Sequence, residues 1–113
     1  MKLQHLDDCR DTSTAGFTKR MVHQSAHGLV FMLNFQPGQA LPAHTHENSE
    51  IVVTVLSGEG QATVDGRAEP LRTGTVIQCN GNESFSVQNN GSSVLSLLVF
   101  LAPGNPRFAS NVR

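Results

Sequence analysis

The stretch GQALPAHTHENSEIVVTVLSG, residues 38–58, is where the reading of this chain turns. His44 and His46 lie two positions apart in a segment that reads as extended, so both imidazoles project to one face with Cα atoms roughly 6–7 Å apart. Two neutral imidazoles so spaced can reach one ion at about 2.0–2.2 Å, and Glu50, after the short ENS turn, offers a hard oxygen donor. Glu47 is nearer in sequence, but its odd spacing puts it on the opposite face unless the turn resets the alternation. A pair of surface histidines, or of hydrogen-bonded core histidines, fits the same spacing, so the motif needs structural context to choose between them.

Working outward, the apolar residues fall in short runs divided by turn residues, and no window long enough for a helix carries an amphipathic stripe. The pattern predicts strands at 28–36, 41–46, 50–57, 60–65, 75–79, 84–89 and 93–101, with a weaker one near 19–24. Between them stand Pro37-Gly38, Ser57-Gly58, Asp65-Gly66, Thr73-Gly74, Asn80-Gly81 and Asn90-Gly91. Asp-Gly supplies the positive φ that a two-residue turn needs, which makes QATVDGRAEPL, residues 61–71, the best hairpin in the chain. Seven or eight short strands imply an all-β sandwich, jelly roll or small barrel.

The 113 residues are 38% hydrophobic, enough for one folded core. The formal charge of −1 and the lack of a basic run exclude a nucleic-acid surface. The apolar run Val94–Ala102 is too short to span a bilayer, and MKLQHLDDCR has no apolar core of a leader, so the expectation is a soluble cytoplasmic protein. Cys9 and Cys79 form no CxxC pair and read as reduced thiols. Residues 7–20 are polar and aperiodic, an arm or partly ordered lead-in. The expected organisation is one domain: an arm and first strand over 1–27, a barrel over 28–102 and an irregular cap over 103–113.

The segment from Gly38 resembles the first motif of the cupin superfamily: a Gly, five residues, HxH, three or four residues, a Glu, six residues and a Gly. Here seven residues separate Glu50 from Gly58. The following GEGQATVDG and PLRTG are similar to the family's inter-motif region. In the second motif, Gly74 and Asn89 fall on the family's Gly and Asn, Phe85 takes the place of its His, and Asn80 that of its Pro. The resemblance spans about residues 28–102 and implies a double-stranded β-helix, the RmlC-like jelly-roll barrel.

It also implies an inward-facing metal site on His44, His46 and Glu50 holding a divalent ion (Fe, Mn, Zn or Ni), with Phe85, Val87, Asn89 and Cys79 lining the pocket. Two outcomes follow from Phe85, which cannot ligate. Two His and one carboxylate still suit a metal enzyme of dioxygenase or isomerase type acting on a small organic substrate, with no catalytic residue assigned. Alternatively the metal is lost, and the pocket binds an organic ligand in a non-catalytic carrier or sensor. Cys79 is the best substitute ligand, whereas His23 and His27 read as solvated loop histidines. The terminal strands, apolar on both faces, predict a homodimer.

Overall fold

A computed structural model describes residues 1–103. Among them nine strands follow a short 3₁₀ helix at Leu6–Cys9: β1 (Thr18–Ser25), β2 (Gly28–Phe35), β3 (Ala40–His44), β4 (Glu50–Ser57), β5 (Gly60–Val64), β6 (Arg67–Leu71), β7 (Val76–Cys79), β8 (Phe85–Gln88) and β9 (Leu95–Ala102). They form two antiparallel sheets, ordered β1-β2-β9-β4-β7 and β3-β8-β5-β6. Every expected strand is present, its ends within one or two residues of those predicted. The 61–71 hairpin turns at Asp65 and Gly66, with φ of 48° and 82°, and its second arm is β6. Apart from Pro103, the cap expected over 103–113 lies outside the described residues.

Pleat alternation builds the core. Across β2, β9 and β4 the register aligns Leu33, Leu97 and Val55, then Phe31, Val99 and Val53, then Leu29, Leu101 and Ile51. All nine are buried, packed against Ala62, Phe85 and Val87 of the smaller sheet. Removing one such side chain from water contributes about 1.5–3 kcal/mol, so these rows dominate the stability of the sandwich.

The polar stretch 7–20 is docked rather than loose. On the outward face of the larger sheet, Thr18, Asn34 and Ser96 share one register row and are buried. Asn34 Nδ2 donates to the Cys9 carbonyl at 2.7 Å and to Thr18 Oγ1 at 3.1 Å, and Ser96 Oγ donates to Asn34 Oδ1 at 2.8 Å. Thr18 Oγ1 donates to the Asp11 carbonyl at 2.6 Å. A buried amide is tolerated only when its partners are present, and here the arm's Cys9 carbonyl joins the Thr18 and Ser96 hydroxyls in supplying them.

The loop between β7 and β8 positions the residues of the HxH segment. The Gly81 carbonyl accepts from the His46 N–H at 3.0 Å, and the Ser49 N–H donates to the His46 carbonyl at 3.0 Å, closing a turn. A Cβ on Gly81 would overlap the carbonyl oxygens of both His46 and Ser49. Gly81→Ala is therefore predicted to cost about 1–3 kcal/mol through overpacking, seen as a lower midpoint in urea or thermal unfolding; an unchanged midpoint would mean that this contact is not close in solution.

Candidate functional site

β3 is an edge strand of the smaller sheet, carrying Pro42 and a register shift between Leu41 and His44. Pro is tolerated at such an edge because no ladder bond needs its missing N–H. His44 ends the strand opposite Phe85 of β8. His46 lies beyond the strand end, in the turn that Gly81 clamps. The bulge and the turn, rather than simple alternation along one strand, thus bring the two imidazoles together, with ring centroids 4.3 Å apart and planes at 58°. The Phe85 ring lies 6.4 Å from that of His46.

Both histidines face a cavity of about 140 Å³ between the two sheets. Its walls are apolar: Phe17, Phe31, Leu33, Leu41, Ile51 and Phe85 are the main contributors. Lys19, on the inward side of β1, also lines it and holds its ammonium 4.5 Å from the centroid of the Phe31 ring. Lys19 lies in the weak strand near 19–24, outside the barrel expected over 28–102, where no local pattern marks it as a cavity residue.

Electrostatics follow from this dry lining. Burial, then the neighbouring His44 and Lys19, push the His46 pKa from 6.5 down to about 4, so its ring is neutral at physiological pH. Burial also lowers the pKa of Lys19. The His44 Nδ1–H donates to the Pro42 carbonyl at 2.9 Å, which leaves Nε2 as the ring nitrogen for an incoming group. The arrangement can hold and orient the polar end of a small molecule whose remainder is apolar.

The other expected site residues do not join this cavity. Glu50 is exposed on the outward face of β4, where its Oε1 accepts from Gln78 Nε2 at 2.9 Å. Alternation explains the displacement: Ile51, Val53 and Val55 face the core, so Glu50 must face out. With the motif's six residues, 52–57, placed before Gly58, its Glu position falls on Ile51, whose side chain lines the cavity. The extra residue between Glu50 and Gly58 was the signal in the sequence. Val87 and Cys79 are core residues away from the cavity lining. Burial, with Glu83 and Asp65 adding to it, raises the Cys79 thiol pKa, the opposite of what a thiolate ligand needs. Asn89 is a buried clamp: its Nδ2 donates to the Phe35 and Ser93 carbonyls at 2.9 Å each, and its Oδ1 accepts from the Gly91 N–H at 3.0 Å. His23, within β1 rather than in a loop, and His27, in the turn that follows it, are both exposed and do not line the cavity.

The family model for the cupin domain matches residues 31–101. This chain belongs to the cupin family. Among curated proteins, the oxalate-binding protein of Thermotoga maritima is 29% identical over 84 residues, covering 74% of this chain and 69% of that relative. The crystal structure of TT1209 from Thermus thermophilus superposes with a TM-score of 0.86 at 29% identity, over 91% of this chain and 98% of that one. An RmlC-like cupin from Desulfovibrio desulfuricans gives 0.82 at 28% identity, over 91% and 97%. The jelly-roll barrel expected from the motifs is the fold found.

A metal-binding cupin would need more donors than this pocket offers. Among the described residues that line it, two imidazoles are the only His, Cys, Asp or Glu side chains, and no group of three such side chains that could hold an ion is present. Catalytic metal sites ordinarily use three protein ligands. The residues present do not fit a resident divalent ion.

The depressed pKa of His46 makes a prediction about acid stability. Between pH 6.5 and 4 the unfolded chain binds a proton at this position and the folded chain does not, so stability falls as pH drops through that window and levels off below it. The loss should reach up to about 3 kcal/mol. Denaturant unfolding at pH 7 and pH 4.5 should show it in wild type and not in His46→Gln; equal acid sensitivity in both would assign the effect to other groups.

Proposed function

We propose that this protein is a cupin whose barrel binds a small organic molecule directly, without a metal ion. The observation that supports this most strongly is the pair of apolar residues, Ile51 and Phe85, at the two motif positions where the family carries Glu and His. They leave a cavity with apolar walls and a few polar groups, the general form of a small-molecule site. The name of the Thermotoga relative, an oxalate-binding protein, supports a small-molecule ligand as the class. Carrier or sensor is the role assigned, in the cytoplasm, where Cys9 and Cys79 would stay reduced.

Metal titration tests the reading. Wild type should bind Co(II) or Zn(II) weakly, whereas Ile51→Glu combined with Phe85→His restores a four-donor set and should tighten binding by about a hundredfold or more, with a tetrahedral or five-coordinate Co(II) spectrum. Tight, stoichiometric metal binding by wild type that is lost in His46→Ala would overturn the proposal.

We also propose that the chain acts as a homodimer through the outward face of the larger sheet. Val30, Phe100 and Val52 form one register row across its three central strands; Phe100 is 43% exposed, and Val76 at the edge is 61% exposed. A second copy suits this face because the row carries no charge to repel its own image in an isologous contact. Light scattering at tens of micromolar should report a dimer, and Phe100→Lys should give a folded monomer. A wild-type monomer at that concentration would refute the interface.

A further inference from the structure

Lys19 is the one Lys, Arg, Asp or Glu side chain lining the cavity among the described residues. It enters from β1, at one edge of the larger sheet, while His44 and His46 enter from the facing sheet and the turn beyond it. Its ammonium is held over the Phe31 ring, itself a wall of the cavity. One fixed positive charge and two imidazoles therefore share a small apolar chamber.

The volume limits what fits. About 140 Å³ is close to the 150 Å³ apolar cavity that is known to take up benzene, so the apolar part of a ligand is a single six-membered ring or a branched aliphatic group of like bulk. A sugar or nucleotide exceeds that size and would leave hydroxyls without partners on the Phe17, Leu33 and Ile51 walls, each at a desolvation cost. A second cation would meet the Lys19 charge. A dianion as small as oxalate would bring two charges to one ammonium and no apolar body to cover the walls.

We propose that the cavity binds a small monocarboxylate with a compact apolar body, the carboxylate meeting Lys19 and the His44–His46 pair and the body packing between Phe31, Ile51 and Phe85. This rests on the metal-free reading above and names the ligand class for that same pocket. Charge-assisted hydrogen bonds are stronger than neutral ones, so the carboxylate should decide affinity as well as orientation.

Calorimetric titration of the full chain with benzoate, benzyl alcohol and oxalate tests this, using wild type, Lys19→Met and Lys19→Gln. Benzoate should bind wild type at least about tenfold more tightly than benzyl alcohol, and that preference should shrink to within about twofold in both Lys19 variants. Equal affinity for benzoate and benzyl alcohol in wild type would overturn the carboxylate assignment and leave the organic pocket standing. Oxalate binding as tightly as benzoate would overturn the apolar body. Binding of neither ring compound would remove both this inference and the pocket reading. Should both Lys19 variants fail to fold, the wild-type comparison of the three probes still decides.

Discussion

The turn from His46 to Ser49, fixed against Gly81, sets the parity with which β4 enters the sheet, and the chemistry of the barrel depends on that parity. In a strand flanked on both sides by ladder partners, neighbouring side chains must go to opposite faces. With Ile51 inside, Glu50 is committed to the outer face, beyond the reach of any ion between the imidazoles. A one-residue difference in where the turn ends separates a carboxylate donor from an isobutyl-sized wall. The buried rows that continue from Ile51 through Val53 and Val55 hold this choice, since slipping the strand would move every one of them to water.

The apolar character of the chamber then accounts for its electrostatics without further assumptions. A neutral imidazole is what remains when a titratable ring is enclosed with a second ring and an ammonium nearby, because each of these disfavours a further positive charge. Aromatic and aliphatic walls make every charge in the site expensive to keep unless something of opposite sign or good geometry accompanies it.

Most of the fold could be read from short apolar runs and their turn residues, because alternation and Asp-Gly or Asn-Gly turns are local properties. The HxH pair was legible for a related reason: both residues sit within a few positions of one strand end. Glu50 was misplaced because counting along a motif cannot show which residue of a turn is the last to leave the pleat. The place of Lys19 in the cavity wall was not legible because it arises from packing β1 beside β2, a long-range fact with no local mark. Asn89, matched to a motif position, proved to serve two carbonyls and a turn, a duty that identity alone does not reveal. The arm over residues 7–20 looked loose since its partners, Asn34 above all, lie far along the chain.

That arm and Lys19 are joined through β1. Among the described residues β1 pairs only with β2, so its opening requires fewer interactions to be broken than opening the central strands β9 and β4. It begins at Thr18, the residue that the arm and Asn34 both hold, and the next residue is the ammonium of the cavity. Anything that engages Lys19 therefore draws on an edge strand of the larger sheet, and the slowing of amide exchange on binding would extend to β1 and the arm behind it, on the opposite face of the sheet from the ligand. A protein with no hinge or second domain in its described residues would in this way carry news of an occupied pocket to its outer surface.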